Sequence, residues 1–391
     1  MPFWESMKLI IFALALANFG VGTGGLIIAG VLPQIAAGLS VTLPQAGALV
    51  GYSSIAYALG APLLGAAFAA MDRKRLLLGG LALMTVSSVL GAVSTDYTVL
   101  LISRIVFALA SAVVTPTTLS IAAFITKPEH RGKAISRVFA GFALSNVIGL
   151  PLGVLIASLV DWHVALWYAA VVSAVALALV AAYLPRDIRV PPSNFSVLAN
   201  YLLDWRKMLV ISIVVLQMGS VFVMYTYLTS WLDLVVGISG NTTTALLLWF
   251  GLFGTIGVFS AGELMQRLTL RVASIMLLAI LAIVHTSFSW MPPSLAAVLL
   301  ILACWGLFGF AYQPMQQTRV IQISGTAANA GITLQASGVY IGQALGAFIG
   351  GAVIASGGMA WLGWTAAVGA LLALGLLLIT FQTTRDQIAA K

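Results

Sequence analysis

Few residues in this chain are of a type that does chemistry, and most of those lie in apolar surroundings. Arg104 is the one Lys or Arg read as lying deep inside an apolar run. A charge at such depth costs at least ~2.5 kcal/mol, so it either faces an inward set of acceptors or snorkels to the outer interface, a turn or two from the start of its run. No carboxylate lies at the middle of any apolar run, which leaves backbone carbonyls or an amide such as Asn146 as its partners. His285 is titratable in principle, but a lone histidine in an apolar run is more often a hydrogen-bonded structural residue. There is no HExxH pattern, no pair of acids in one apolar run, no second histidine near His285 and no Gly-Lys-Ser/Thr phosphate loop. These absences argue against an intramembrane hydrolase and against direct use of ATP. No catalytic residue, cofactor or metal is expected. The single Cys304 gives no disulfide framework.

The remaining polar and aromatic groups suit binding. Gln217 and Tyr225 are eight residues apart and share a helix face, with Thr226 beside them. Trp305, Phe308 and Tyr312 share another face by their spacing. Gln335, Tyr340 and Gln343 form a third set, Tyr52, Ser53 and Tyr57 a fourth, and Asn18 and Asn146 are isolated amides. Together they describe a largely apolar lining with scattered hydrogen-bonding groups, suited to a neutral or mildly amphipathic small molecule. The bland alternative is that aromatic stripes pack and that Trp and Tyr anchor at the membrane interface.

These residues must be carried by membrane helices. Of 391 residues, 61% are hydrophobic and 7% charged, far below the ~25% charged residues of a soluble domain. Runs of ~20 apolar residues are needed to span a bilayer. Twelve qualify: 8–32, 43–70, 75–95, 98–124, 134–160, 163–184, 207–232, 242–265, 270–290, 295–317, 329–356 and 359–381. The net charge of +8 does not indicate nucleic acid, because the cations sit between the runs. Seventeen of the eighteen Lys and Arg fall on one side of a twelve-span arrangement, Arg319 among them as a residue following the tenth span. The opposite turns hold Asp96, Asp161 and Asp233. The positive-inside rule then puts both termini in the cytoplasm, and no cleavable signal pattern precedes the first span.

The polar interval 185–206 divides the chain into an N-terminal six-helix bundle (1–184) and a C-terminal one (207–391). The halves echo each other. Met71-Asp72-Arg73 follows the second span, and Met265-Gln266-Arg267 follows the eighth, 194 residues later. Gly141, Ser145, Gly149 and Gly153 place a small residue every fourth position on the fifth span, as Gly338, Gly342, Gly346 and Gly350 do on the eleventh. Such faces let another helix approach closely in lipid, and Pro151 is expected to bend the fifth span.

The stretch Gly141 to Gly153, with Gly149, Pro151 and the following "DWHVALW", resembles the antiporter motif of twelve-span major facilitator superfamily exporters, in the drug/proton antiporter branch with its sugar-efflux (arabinose-efflux-like) members. "FVMYTYL" on the seventh span is similar to the same branch. Gly65, Arg73 and Lys74 match the superfamily's cytoplasmic signature, but Ala69 stands where its acid belongs, so the latch that acid supplies is in doubt and Asp72 is the substitute at hand. The position of Arg104 resembles the family's buried arginine associated with proton transfer. The first-span glycines, Gly24 and Gly25, stand where many relatives carry an acid.

The resemblance implies an all-α membrane protein with twelve helices in two pseudo-symmetric bundles. It implies a non-enzymatic monomer in the bacterial inner membrane, in contact with lipid, that exports a small molecule by alternating access in exchange for protons. The small faces of spans five and eleven would be sliding contacts. Asn18, Tyr57, Asn146, Gln217, Tyr225, Trp305, Phe308, Gln335, Tyr340 and Gln343 would contact substrate. Arg104, Gly141, Gly149, Pro151, Gly153, Gly65, Asp72 and Arg73 would serve coupling and gating. The missing first-span acid keeps open an uncoupled facilitator of the same fold. A non-transporting sensor or a membrane enzyme is the alternative of another class.

Overall fold

A computed structural model describes residues 3–185, 188, 195–292 and 294–389. Among the described residues, twelve helices are long and apolar enough to cross a membrane: Met7–Gly30, Leu43–Ala67, Arg73–Ala92, Tyr97–Ile125, Pro128–Leu159, Trp162–Tyr183, Trp205–Val236, Asn241–Arg267, Leu270–Trp290, Leu295–Ala327, Ala330–Gly357 and Met359–Phe381. They are called spans one to twelve. Most boundaries agree with the sequence reading to within a few residues. Span five starts earlier, and span ten runs ten residues beyond 317. The extension changes the place of Arg319. It is not a loop cation but a buried residue, 6% exposed, inside span ten. The helix continues past the apolar stretch because Arg319 finds shelter there: Nη2 donates to Thr380 Oγ1 at 2.6 Å and the guanidinium lies 4.1 Å from the Phe381 ring centroid. Arg104 is therefore not the one cation taken inside a span.

The described contacts group into two compact units. One comprises Met1–Thr42, Leu59–Ser193 and Gly240–Leu248, the other Leu43–Ala58, Asn194–Ser239 and Trp249–Lys391. The start of span two thus belongs with the second unit. There Tyr57 stacks on Tyr340 (centroids 3.6 Å apart), Tyr52 meets Phe348 edge-on at 5.2 Å, and Ser337 Oγ donates to the Ala58 carbonyl. The interval 185–206 lies in part outside the described residues, with Arg186, Arg189, Pro191 and Pro192 among them; Arg385 and Lys391, also counted above, have no described side chain. What is described of the interval is anchored. Ile188 is buried in the first unit's apolar core beside Leu77 and Leu184, and its carbonyl accepts from the Arg73 N–H at 2.9 Å. Further on, the helix Phe195–Leu203 sets Tyr201 against Val210, Ile211, Val320 and Leu334. Asp204 then caps span seven and pairs with Lys207 Nζ at 3.0 Å. That hydrogen bond to Lys207 outweighs slight burial and holds the Asp204 carboxyl below its ordinary value.

The two glycine faces explain how the units pack. In the first, span five lies on span one. A Cβ at Gly141 would collide with the Ala15 carbonyl, one at Gly149 with Thr23, and one at Gly153 with Ile27. Span one answers in kind, since a Cβ at Gly22 would strike Ser145 and one at Gly30 would strike Leu150 and Val154. In the second unit, span eleven lies on span seven in the same manner. Gly342 faces the Val215 carbonyl and Met218, Gly346 the Gly219 carbonyl and Phe222, and Gly350 the Val223 carbonyl and Tyr227. Both faces are seated inside a unit, against spans one and seven. The helix accommodates Pro151 by a local device. Ser145–Gly149 forms one widened π-type turn, in which the Leu150 N–H reaches the Ser145 carbonyl. A proline ring crowds the carbonyl four residues back and offers no donor, and a widened turn accommodates such a break in the ladder.

Gly141 against Gly25 makes a paired test. No atom stands within 4 Å of a Cβ at Gly25. Gly141→Ala should lower the melting temperature of the purified protein, at an overpacking cost of about 1–3 kcal/mol. Gly25→Ala should leave it unchanged or raise it, since alanine stiffens a helix relative to glycine by up to ~1 kcal/mol.

Candidate functional site

Two constellations emerge, one in each unit. The first centres on Arg104, 2% exposed in span four. Its Nε donates to Ser103 Oγ at 3.2 Å, Nη1 to the Gly24 carbonyl at 3.4 Å and Nη2 to the Ser87 carbonyl at 3.5 Å. The guanidinium also lies 5.1 Å from the Phe107 ring centroid. Arg104 thus joins spans one, three and four through neutral acceptors and a π face, at long hydrogen-bond distances. Neither a carboxylate nor Asn146 holds it. Asn146 is half-buried and donates to the Phe142 carbonyl of its own helix. Asn18 is fully buried; its amide donates to the Leu14 carbonyl and to Thr118 Oγ1 at 2.7 Å, tying span one to span four, while its Oδ1 has no protein partner.

The glycines of spans one and three make room for the cation. A Cβ at Gly24 would strike the Phe107 ring. One at Gly91 would stand 2.9 Å from Ser103 Oγ and 3.0 Å from Arg104 Nη2. The glycine that stands in place of a first-span acid therefore serves the arginine by yielding space and a carbonyl.

The second constellation is an aromatic cluster around Trp305, itself 1% exposed. Tyr225 meets Trp305 edge-on at 6.2 Å between centroids, and Phe250 stands 5.0 Å from Trp305 and 5.9 Å from Tyr225. Phe288 and His285 close the other side at 5.4 and 5.5 Å. His285 Nδ1 lies 3.0 Å from Ser220 Oγ, which in turn donates to the Ala366 carbonyl at 2.6 Å, so the imidazole links spans seven, nine and twelve. Three groups here have no protein partner although buried: the Tyr225 hydroxyl, Gln217 Nε2 and His285 Nε2. Gln217 Oε1 is engaged, accepting from Gln313 Nε2 at 3.2 Å. Gln316, in contrast, is committed on both sides, to Tyr312 and to the Val210 carbonyl.

Of the sequence-derived contact residues, the structure joins Tyr225 to Trp305 and Tyr57 to Tyr340. Gln335 and Gln343 are buried on span eleven, and Gln335 Oε1 has no protein partner. Phe308 is half-buried and outside the Trp305 cluster. Phe250 and Gln313 are the residues that the sequence reading passes over. Gln313, an amide within the apolar run of span ten and eight residues after Trp305, carries the signal that could have found it.

The signature stretch between spans two and three holds structure together locally. Asp72 caps span three through the Arg75 N–H at 2.9 Å. Arg73 Nη2 reaches the backbone carbonyl of Ala69, the residue in the acid's place, at 3.2 Å. Lys74 Nζ caps the end of span six through the Ala181 and Leu184 carbonyls. Gly65 is exposed and nothing crowds it.

A family model described as the Major Facilitator Superfamily matches residues 14–334. The chain belongs to the major facilitator superfamily. Among curated relatives, the uncharacterized MFS-type transporter YbcL of Bacillus subtilis is 32% identical over 96% of this chain and 97% of its own. A probable sugar efflux transporter of Helicobacter pylori (strain J99) is 26% identical over 93% of each chain, and the putative transporter AraJ of Escherichia coli 25% identical over 90% of this chain and 89% of its own. Among solved structures, a bacterial homologue of the human lysosomal transporter Spinster has a TM-score of 0.76 at 15% identity, with 97% of each chain covered. The nucleoside transporter NupG has a TM-score of 0.75 at 13% identity, over 96% of this chain and all of its own. These establish the fold: an all-α, twelve-span major facilitator protein.

Two substitutions separate function from packing in this superfamily member. Arg104→Lys keeps the charge but loses the fork that reaches Ser103, Gly24 and Ser87 together. Transport by this variant should fall at least about tenfold at equal expression, the scale of one charge-assisted hydrogen bond. Normal transport would relieve Arg104 of any role in coupling. Tyr225→Phe removes a hydroxyl that satisfies nothing in the protein. Such a change should leave the melting temperature unchanged or higher, and weaken substrate half-saturation about tenfold if the hydroxyl meets substrate.

Proposed function

We propose that this protein is a secondary exporter of a small neutral or amphipathic molecule, drug- or sugar-like, working by alternating access in exchange for protons. The observation that carries the substrate class is the Trp305 cluster. It is a buried aromatic surface flanked by three unsatisfied polar groups, the Tyr225 hydroxyl, Gln217 Nε2 and His285 Nε2, and it carries no carboxylate, Lys or Arg. An apolar wall with a few placed hydrogen-bonding groups recognises a neutral or weakly polar ligand. A polycation would lack a counter-charge there. The outward direction draws support from the antiporter-like glycine and proline pattern of span five and from relatives named as sugar efflux transporters. Arg104, buried on neutral acceptors, is the group whose charge a coupled proton cycle would use. The cell inner membrane, with both termini cytoplasmic and the chain acting as a monomer amid lipid, completes the reading. Relatives called inner membrane transport proteins support the location.

A second reading has its own observation. The described ion pairs, such as Lys207–Asp204 and Arg267–Glu263, sit at span ends, and Gly24 and Gly25 occupy the place of an acid. An uncoupled facilitator would need no mid-membrane carboxylate.

Cells expressing the protein and preloaded with an apolar fluorescent dye or a labelled neutral sugar decide between the two. Expression-dependent export of either compound that collapses on adding a protonophore is the expected outcome. Downhill flux indifferent to the protonophore would make the protein a facilitator.

A further inference from the structure

The phrase "DWHVALW" contains a histidine that neither constellation uses. His163 stands at the start of span six, on the side opposite the basic turns. Its Nδ1 contacts Asp161 Oδ1, and its Nε2 lies 3.1 Å from the carbonyl oxygen of Ser94, in the turn between spans three and four. Both neighbours are acceptors. A carboxylate and a peptide carbonyl present lone pairs only, and a neutral imidazole has one N–H to give. The Asp161 oxygen is already committed as an acceptor in the cap of span six, where it receives the His163 backbone N–H at 2.7 Å. An imidazolium, with an N–H on each side, can donate to both acceptors, whereas a neutral ring can donate to one of them. The Trp162 indole stacked on the ring, centroids 3.6 Å apart, adds a π face suited to a cation.

The joint connects to Arg104 through the end of span three. Ser94, 1% exposed, donates its hydroxyl to the Gly91 carbonyl at 2.7 Å. Gly91 is the glycine whose missing side chain leaves room for Ser103 Oγ and Arg104 Nη2. A chain of contacts therefore runs from the partly exposed His163 (34% exposed side chain) through Ser94 and Gly91 to the buried guanidinium. The titratable groups on the two turns are Asp161 and Asp96. Asp96 is occupied in capping span four through the Thr98 and Val99 N–H groups. For Asp161, slight burial acts upward, but the backbone and ring hydrogen bonds of His163 prevail and hold the carboxyl below its ordinary value. Asp161 thus remains an anion across the range in which histidines titrate.

We propose that protonated His163 is a proton-dependent bolt that ties the turn between spans three and four to the start of span six, and so holds the end of span three against Arg104. Loss of the proton removes one of the two donors and frees the Ser94 carbonyl. The bolt itself stands on geometry alone; its effect on flux rests on the transport reading above.

The test uses the full chain in lipid nanodiscs and compares pH 5.5 with pH 8.5, a range that brackets ordinary histidine titration. Amide hydrogen exchange of residues 89–96, corrected for intrinsic pH dependence, should be about tenfold slower at pH 5.5, the scale of one charge-assisted hydrogen bond. His163→Arg, a permanent cation with several donors, should keep the slow rate at both pH values. His163→Phe should show the fast rate at both. Equal exchange in the unmodified protein at the two pH values, or a pH step that survives in His163→Phe, would overturn the bolt. Flux is the second arm. The unmodified protein should show a step in rate across this range that both variants abolish, and a step unaltered in them would overturn the link to transport. Absence of flux from every form, with the exchange pattern intact, would refute the transport reading and leave the bolt standing.

Discussion

Close approach of helix backbones at glycine faces is the constraint on which the rest of this structure depends. Lipid gives helices no hydrophobic reason to associate, so contact area and dispersion must hold the spans together. Gly141, Gly149 and Gly153 bring span five onto span one, and Gly342, Gly346 and Gly350 bring span eleven onto span seven, at distances where an added Cβ would meet backbone or side-chain atoms. Span one, so placed, presents the Gly24 carbonyl to Arg104 and the Asn18 amide to Thr118. Span seven presents Gln217, Ser220 and Tyr225 to Gln313, His285 and Trp305. The same device, used once in each unit, therefore sets the position of both candidate constellations.

Arg104 and Arg319 show two ways to keep a cation out of water without a carboxylate. Each uses neutral oxygen acceptors and an aromatic face: Ser103, Gly24, Ser87 and Phe107 in one case, Thr380 and Phe381 in the other. A carboxylate partner would fix the charge firmly. Neutral acceptors hold it more weakly.

The membrane architecture was legible in the sequence because hydropathy, cation placement and four-residue glycine spacing each report it independently. Gly141 to Gly153 announced a close helix contact, but spacing alone names no partner, so the contact with span one was hidden. Arg319 was misplaced for a physical reason. Hydropathy ends a span at a charge, whereas Thr380 and Phe381 from another helix make that charge tolerable inside one. The joining of Tyr225 and Trp305 was open to sequence reasoning only as two separate helix faces. Phe250, the ring that completes their cluster, lies in an ordinary apolar run that gives no sign of it. His163 was visible only as part of a motif. Its chemistry depends on the Ser94 carbonyl, a backbone atom that no side-chain pattern can reveal.

The central claim is outward transport driven by proton exchange, and reconstitution tests it most directly. Purified protein in sealed liposomes, with a pH-sensitive dye trapped inside and no ion gradient imposed, is given an inward gradient of a substrate identified by cell export. The account predicts substrate entry with simultaneous proton exit, seen as internal alkalinisation that is absent in Arg104→Lys liposomes. Substrate entry at the same rate with internal pH unchanged, in the presence of a potassium ionophore to dissipate any potential, would contradict it.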